Sequence, residues 1–352
     1  MSQNLSSNGS PKKQLTQPAI PRWRGFNLPE LSGGDWGKEP PSFNENDFKW
    51  IAELGFNFVR IPISYWNLAP PDDWMNAPEG AYRPIDQAVD FGQKYGVHIN
   101  LNFHRIPGYC VNGAEREPYQ LFDGPRDHMI KALEAAIYHW QLLAVRYKSV
   151  RSTDLSFDLF NEPPWLDNHN RYIEIAHGLI QAIRQIDPNR LIFADGADIG
   201  QTPVPELAKY QVVHSTRGYL PKAVSHYTAD WVPDNEFETF KDPEWPITDD
   251  NGRLWNKETL RHEIVDKWKP IMSQGAPVHV GEWGCFNRTP HEVALAWMRD
   301  MLDLWNEVGW GWAMWNLRGS FGILNSGRED VEYKNFHGHR LDEKMLKLLH
   351  EY

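Results

Sequence analysis

Short strand-like runs alternate with longer helical runs through most of the chain, and this alternation restricts the possible folds more than any other feature. A repeated order of strand and then helix predicts a parallel sheet, because parallel neighbours need a connection that crosses back over the sheet. The runs that we assign to strands are residues 24–27, 58–62, 97–103, 155–160, 191–194, 211–215, 277–281 and 310–317.

Eight such units in about 330 residues predict a (β/α)8 TIM barrel that forms a single domain. A doubly wound sheet is the structural alternative, but that fold usually carries a glycine-rich first turn, and no GxGxxG follows a predicted strand. Residues 1–20 are rich in Ser, Asn, Gln, Pro and Lys without periodicity, so we expect a disordered N-terminal tail. The barrel then spans residues 21–352.

The longer runs carry apolar residues at helical spacing. We expect one more helix that is capped by Thr289 and has Pro290 at its first position, and a last helix that begins at Asp342. The other predicted helices are residues 46–54, 84–95, 128–147, 171–186 and 258–272.

The charge balance limits the kinds of partner. The chain has 36 Lys and Arg against 47 Asp and Glu, and a formal charge of −11 is the wrong sign for binding nucleic acid or an anionic membrane. No stretch approaches the roughly 18 apolar residues of a membrane span. We therefore expect a neutral or cationic partner. We also expect a monomer. The start also lacks the apolar run of a signal peptide, which predicts a cytoplasmic protein as written, and a longer secreted precursor is compatible with the same sequence.

Polar residues stand where the predicted strands end, which is where a barrel of this kind places its active site. Glu162 closes strand four and Glu282 closes strand seven, so the two side chains can face each other across the barrel mouth. A lone Glu after a strand is usually a helix-start or surface residue. Cleavage of an acetal, however, needs an acid for the leaving oxygen and a carboxylate for the oxocarbenium-like centre. The pair therefore indicates glycosidase chemistry.

A set of motifs in order supports the same chemistry. With these motifs the chain resembles glycoside hydrolase family 5, the retaining (β/α)8 enzymes of the cellulase type, over about residues 22–350. One AsnGluPro alone would be weak, whereas the ordered set is specific. The motifs are ArgGlyPheAsnLeu at 24–28, PheValArgIlePro at 58–62, PheHisArgIleProGlyTyrCysValAsn at 103–112, AsnGluPro at 161–163, GlyGluTrpGly at 281–284 and TrpAsnLeuArgGlySerPheGlyIle at 315–323.

The resemblance implies a role for each matching residue. Glu162 is implied to be the general acid/base and Glu282 the nucleophile. The implied substrate-binding and orienting residues are Asn161 at the sugar 2-hydroxyl, Arg60 beside the nucleophile, His104 in the reacting subsite, Tyr219 as a hydrogen-bond partner of the nucleophile and Trp315 under the sugar. An arginine beside Glu282 should keep the pKa of that carboxyl low, while burial and a like charge should raise the pKa of Glu162.

One stretch departs from the family pattern. The family commonly has His, one further residue and then Tyr after strand six, whereas this chain has SerThrArgGlyTyrLeuPro at 215–221. Arg217 takes the place of the histidine. We consider that Arg217 adds a second cation near Glu282, or that it reaches toward a substrate hydroxyl or a rim carboxylate. His226, in the following SerHisTyr, is a candidate for supplying the missing imidazole.

The 17 Trp residues are an unusual number, and their flat rings suit sugar faces as well as a core. Trp66, Trp165, Trp231 and Trp283 follow predicted strands and are candidates for sugar stacking. Tryptophans on helical stripes are expected in the core; these are Trp140, Trp268, Trp297 and Trp305. Cys110 and Cys285 are expected as free thiols, and the pair His337 and His339 is not expected to bind a metal.

These features favour a retaining endo-β-1,4-glucanase that acts on a β-linked oligo- or polysaccharide with neither cofactor nor metal. An exo-β-1,3-glucanase and a β-mannanase stay open, because the same catalytic set serves all of them and loops decide the linkage. A catalytically silent carbohydrate-binding barrel is the alternative from another class, since Arg217 departs from the family pattern.

Overall fold

Eight parallel strands close into a barrel, as the alternation predicts. Each strand pairs with the next, the eighth returns to the first, and all of these pairings are parallel. The strands are β1 (Arg24–Asn27), β2 (Phe58–Ser64), β3 (His98–Ile106), β4 (Leu155–Asp158), β5 (Ile192–Asp195), β6 (Val213–Gly218), β7 (Val278–Trp283) and β8 (Gly311–Met314). The predicted single-domain (β/α)8 barrel is therefore confirmed.

The computed structural model describes residues 17–34, 36, 38, 40–232, 243–249 and 251–352. Residues 1–16 of the predicted N-terminal tail lie outside the described residues, so the disorder of that tail stays a prediction. Gln17 is the first described residue, and its side-chain amide donates a hydrogen bond to the carbonyl oxygen of Ala208 at 3.1 Å.

The longer helices surround the barrel at the predicted places. Asp342 accepts a hydrogen bond from the backbone N–H of Met345 at 3.0 Å, which confirms the predicted start of the last helix. No helix within the described residues combines the length and apolar character that crossing a membrane requires. The helices are α1 (Glu45–Glu53), α2 (Arg83–Tyr95), α3 (Arg126–Arg146), α4 (Asn170–Ile186), α5 (His291–Val308) and α6 (Glu343–His350).

The predicted helix at 258–272 is broken into four short helical pieces. Pro270 lies in the first turn of the last piece, where its missing N–H cannot continue the hydrogen-bond ladder of an α-helix. The connection from β6 to β7 also contains the short helix Lys222–Ser225 and a ribbon of Ile247–Thr248 with Leu254–Trp255. The four pieces are Lys257–Leu260, Arg261–Val265, Asp266–Trp268 and Lys269–Met272.

The predicted cap of α5 is wrong. Its helix begins at His291, with Pro290 as the residue before it, and the Thr289 hydroxyl donates instead to the carbonyl oxygen of Val224 at 2.6 Å. Asp330 takes over the capping function, because its carboxylate accepts a hydrogen bond from the backbone N–H of His291 at 2.6 Å. A carboxylate from a distant loop therefore satisfies the helix terminus, and no local pattern reveals such a contact.

Strand bounds decide which side chains reach the barrel mouth. The sixth strand runs to Gly218 instead of ending at Ser215, so Arg217 lies within the strand. The seventh strand likewise includes Glu282, while the fourth ends at Asp158, three residues before Asn161. The four helical-stripe tryptophans are all fully buried, which confirms their assignment to the core: Trp140, Trp268, Trp297 and Trp305.

Gly25 provides a test of the close strand packing. A Cβ atom on Gly25 would lie 1.7 Å from the carbonyl oxygen of Phe58 on the neighbouring strand. We expect Gly25→Ala to lower the free energy of unfolding by about 3 kcal/mol or more, because the backbone itself must move. Gly80→Ala is the matched control, since its Cβ would meet nothing within 4 Å, and it should stay within about 0.5 kcal/mol. Urea unfolding of the two variants measures the difference, and equal stabilities would contradict this packing.

Candidate active site

A cleft of about 510 Å³ opens at the carboxyl ends of the strands. Seven of the nine site residues predicted from the sequence line it, and the other two, Arg60 and Asn161, are buried and hydrogen-bonded to its lining residues. The predicted residues that line the cleft are His104, Glu162, Arg217, Tyr219, His226, Glu282 and Trp315.

Glu282 is a buried carboxylate that is surrounded by donors. Its Oε1 accepts from Arg60 Nη1 at 2.5 Å and lies 3.6 Å from Arg217 Nη2, while its Oε2 accepts from the Tyr219 hydroxyl at 3.3 Å. Burial by itself raises the pKa of Glu282, but the positive charges of Arg217 and Arg60 outweigh it and hold the pKa below its usual value. Glu282 is therefore kept ionised.

Arg60 joins the ends of several strands below the cleft. Its Nε donates to Asp158 at 2.9 Å, its Nη1 also donates to Asn27 at 3.1 Å, and its Nη2 donates to Asn161 at 3.0 Å. The Asn161 side-chain NH2 has no partner among the described residues, so it is available as a donor. Because its guanidinium is fixed on every side, Arg60 holds Glu282 in one position.

Glu162 stands on a strained backbone that is fixed at both ends of the residue. Its φ angle is +49°, a left-handed conformation that non-glycine residues rarely adopt. Its backbone N–H donates to Asp195 Oδ2 at 2.8 Å, and its carbonyl oxygen accepts from the Tyr109 hydroxyl at 2.6 Å. Burial and the charge of Glu282 raise the pKa of Glu162 to about 7, with Arg217 opposing them. Glu162 therefore retains its proton to much higher pH than Glu282 does.

Arg217, the departure from the family pattern, lies between the two glutamates. Its Nε donates to Glu162 Oε1 at 3.0 Å, its Nη2 donates to Asn161 Oδ1 at 2.9 Å, and both of its Nη atoms donate to Asp195. Nη1 also reaches Ser215 Oγ at 3.3 Å. Every guanidinium nitrogen thus already donates within the protein, and the group has no donor left for a substrate hydroxyl.

The two histidines of the cleft occupy different surroundings. His104 stacks against Trp315 with ring centroids 5.7 Å apart, and burial lowers the pKa of His104 to about 4. His226 packs edge-on against Tyr219 at 4.9 Å, and its Nδ1 is hydrogen-bonded to Ser225 Oγ at 2.8 Å. Burial also lowers the pKa of His226 to about 4. His226 therefore supports Tyr219 as a neutral imidazole behind it.

The four strand-end tryptophans divide into two groups. Trp231 is 56% exposed and lines the cleft, and Trp165 is 65% exposed, so both rings are available to a ligand. Trp283 is fully buried and packs edge-on against Trp305 at 4.8 Å, which makes its prediction as a sugar-stacking residue wrong. Trp66 is buried under the guanidinium group of Arg105, which lies 4.2 Å from the ring centroid.

The cysteines and the His-x-His pair contribute to packing. Both Cys110 and Cys285 are free and buried. His337 stacks on Trp50 with ring centroids 5.5 Å apart, and His339 Nδ1 is hydrogen-bonded to the Asn325 amide at 2.8 Å. Within the described ranges, no group of three or more His, Cys, Asp or Glu side chains is arranged to hold a metal ion.

Sequence reasoning missed four residues that shape the site. Asp158 and Asn27 hold Arg60, Asp195 holds Arg217 and the Glu162 backbone, and Tyr109 holds the Glu162 carbonyl group. Asp158, Asn27 and Asp195 are each the last residue of a barrel strand. That position was the available signal, because a charged or amide side chain there is buried only when a partner satisfies it.

The closed barrel holds two glutamates in one cleft, and the pKa of Glu282 is lowered while the pKa of Glu162 is raised. This fold and this site define a glycoside hydrolase. The family model described as Cellulase (glycosyl hydrolase family 5) matches residues 13–320, and the chain belongs to this family. A crystal structure of a glycoside hydrolase superimposes with a TM-score of 0.86 at 37% identity and covers 94% of this chain and 99% of that chain. Endoglucanase C of Acetivibrio thermocellus is 24% identical over 309 residues, 82% of this chain and 88% of its own. Cellodextrinase A of Ruminococcus flavefaciens is 27% identical over 278 residues and 75% of each chain.

Arg60→Met tests the buried network below the cleft. The substitution leaves Asp158 and Glu282 buried without the cation that lies nearest to each, so we expect it to lower the free energy of unfolding by about 3–5 kcal/mol. Arg146→Met is the matched control, because Arg146 also pairs with two carboxylates but at the surface, and its loss should cost about 1 kcal/mol or less. Both values come from urea unfolding at neutral pH. A small effect at Arg60, equal to that at Arg146, would contradict the network.

Proposed function

We propose that this glycoside hydrolase is a retaining endo-β-1,4-glucanase, with Glu162 as general acid/base and Glu282 as nucleophile. The observation that carries the proposal is that the surroundings shift the pKa values of these two chemically identical side chains in opposite directions. Two arginines keep Glu282 ionised, whereas burial and the like charge of Glu282 raise the pKa of Glu162 to about 7. A double displacement needs this division between a charged nucleophile and a protonated acid.

In the first step, a carboxylate oxygen of Glu282 attacks the anomeric carbon while the Glu162 proton passes to the glycosidic oxygen. The bond from the anomeric carbon to that oxygen breaks, the leaving sugar departs as an alcohol, and an ester to Glu282 forms. The Asn161 NH2, which has no partner among the described residues, suits a hydrogen bond to the 2-hydroxyl of the reacting sugar. Trp315 lines the cleft and offers its ring to the sugar face.

In the second step, Glu162 is a carboxylate and acts as the base. It takes a proton from water, the water oxygen attacks the anomeric carbon, and the bond to Glu282 breaks, so that both carboxyl groups return to their starting state. Arg217 touches both glutamates, 3.0 Å from Glu162 and 3.6 Å from Glu282. We expect the two carboxyl groups to lie about 5–5.5 Å apart, as in retaining enzymes, and a separation of about 6.5–9.5 Å would instead indicate an inverting mechanism.

The β-1,4-glucan substrate is supported by the relatives that are named as an endoglucanase and a cellodextrinase. The exposed ring of Trp231, in the cleft wall beyond the glutamates, provides a further surface for a sugar of a longer chain. We also propose that the enzyme acts as a monomer. A silent carbohydrate-binding barrel would have no need to keep one glutamate charged and the other protonated.

A substrate panel tests the proposed specificity. We expect the highest rate of reducing-end release on β-1,4-glucan, compared with β-1,3-glucan, mannan and xylan. An endo-acting enzyme should also lower the viscosity of a soluble β-1,4-glucan early in the reaction, because internal bonds break first. Dominant activity on β-1,3-glucan with glucose as the single product would instead indicate the exo-acting alternative, and dominant activity on mannan would indicate a mannanase.

Azide rescue tests the two roles. In Glu282→Ala no ester can form, so azide should restore activity and give a glycosyl azide of inverted configuration. In Glu162→Ala an activated aryl glycoside should still form the ester, and azide should then give a product of retained configuration. The anomeric configuration of each product is determined by NMR. Exchange of the two outcomes would reverse the roles of the glutamates.

A further inference from the structure

We propose that Arg217, held in place by Asp195, determines which oxygen of Glu162 carries the proton that is delivered to the leaving group. Arg217 is thus a positioning residue for general acid catalysis and does not bind the substrate. The inference rests on the proposed function, because it concerns the acid step of that reaction. It is carried by the contacts of three side chains: Glu162, Asp195 and Arg217.

Arg217 can only donate hydrogen bonds to Glu162. Arg217 Nε donates to Glu162 Oε1 at 3.0 Å, and an arginine has donors but no acceptor. In a neutral carboxyl group the carbonyl oxygen is the better acceptor, so Oε1 takes the carbonyl role and the proton lies on Oε2. No described residue donates to Oε2, and the Glu162 side chain is 17% exposed where it lines the cleft. The proton is therefore on the oxygen that accepts no hydrogen bond from a described residue, which leaves it available for the leaving group.

A histidine at position 217 would not determine which oxygen of Glu162 carries the proton. Its ring nitrogen either donates or accepts, depending on the tautomer, so it tolerates a proton on the oxygen that faces it. Arginine excludes that arrangement. The arginine that replaces the family histidine thus places the Glu162 proton on Oε2.

Asp195 makes the arrangement rigid. Both of its oxygens accept from Arg217, and Oδ2 also accepts from the Glu162 backbone N–H at 2.8 Å. One carboxylate therefore fixes the backbone of the acid and the arginine that lies on its side chain. Because Glu162 has a φ angle of +49°, the backbone needs such support to hold this conformation.

Arg217 also acts on the charges of both glutamates. The groups that face Glu162 are Arg217 from β6, Asp195 from β5, Glu282 from β7, the Cys110 thiol and the hydroxyls of Tyr109 and Tyr219. Those that face Glu282 also include Arg60, His104 and His226. Arg217 lowers the pKa of both Glu162 and Glu282, so its removal raises both. The acid limb of the kcat/KM profile reports ionisation of Glu282 and the basic limb reports loss of the Glu162 proton. Both limbs should therefore move to higher pH in Arg217→Met.

The main experiment compares two aryl β-cellobiosides. The 2,4-dinitrophenyl group leaves without an acid, whereas the phenyl group needs a proton. For Arg217→Met we expect kcat/KM to fall about 100-fold on the phenyl substrate and only about 5-fold on the dinitrophenyl substrate, because general acid catalysis contributes about 10²–10⁴. Asp195→Asn should give the same pattern, since it releases Arg217.

Two further variants distinguish a loss of positioning from a loss of correctly folded protein. Arg217→Lys keeps the charge but not the planar fork, so it should still lose about 10-fold more on the phenyl than on the dinitrophenyl substrate. Arg190→Lys is the matched control, because Arg190 is equally buried and paired with Asp187 at 3.0 Å, but precedes β5 at the opposite end of the barrel. Its kinetics should match the wild type on both substrates.

The outcomes separate this inference from the proposed function. Equal losses on both substrates in Arg217→Met and Arg217→Lys, with pH limbs unmoved, would overturn the positioning role and leave Arg217 as a structural ion pair. Glu162→Ala is the reference for a missing acid, and it should spare only the dinitrophenyl substrate. If the wild type hydrolysed neither substrate, or Glu162→Ala lost both equally, the proposed function would fail instead.

Discussion

The site depends on one constraint: more carboxyl groups than guanidinium groups are buried together at the strand ends. Two guanidinium groups, Arg60 and Arg217, face four carboxyl groups on the strand ends, Asp158, Glu162, Asp195 and Glu282. Four ionised carboxylates could not be balanced there, because burial makes each unpaired charge expensive. Protonation of a carboxyl group must therefore relieve part of this excess negative charge. Burial raises the pKa of both Glu162, to about 7, and Asp158, to about 6, so these two groups are where the excess negative charge is relieved.

The barrel provides the closeness that this balance requires. Parallel strands end together at one rim, so side chains that are far apart in sequence meet there. Arg60 on β2 contacts Glu282 on β7 across 222 positions, and Arg217 on β6 contacts Glu162 across 55. A surrounding shell of buried tryptophans and helices keeps water away from the floor of the cleft. Each ion pair therefore acts in surroundings of low polarity, where it is stronger than at the surface.

The replacement of the family histidine by arginine fits this balance. Arg217 brings a permanent charge to a place where a neutral histidine would bring none, and Asp195 gives that charge a partner on two oxygens. The two residues thus form a unit that adds almost no net charge but connects the acid to the nucleophile. The cleft walls remain aromatic, with Trp231, Phe321 and Trp315 among the lining residues, so the polar chemistry is confined to the floor.

The sequence by itself determined the barrel, the two glutamates and most of the lining residues. Alternating strand and helix runs, and polar residues at strand ends, are local patterns that can be recognised without knowing which strands are neighbours. Only the tertiary structure decided which side chains pack together and which form hydrogen bonds or ion pairs with each other. Trp283 points into the core because neighbouring residues of a strand face opposite sides, and a shift of one position exchanges them. The contacts of Asp195, Asp158 and Asp330 were decided only by the tertiary structure for a second reason, because these long-range hydrogen bonds join segments whose distance in space no local pattern encodes.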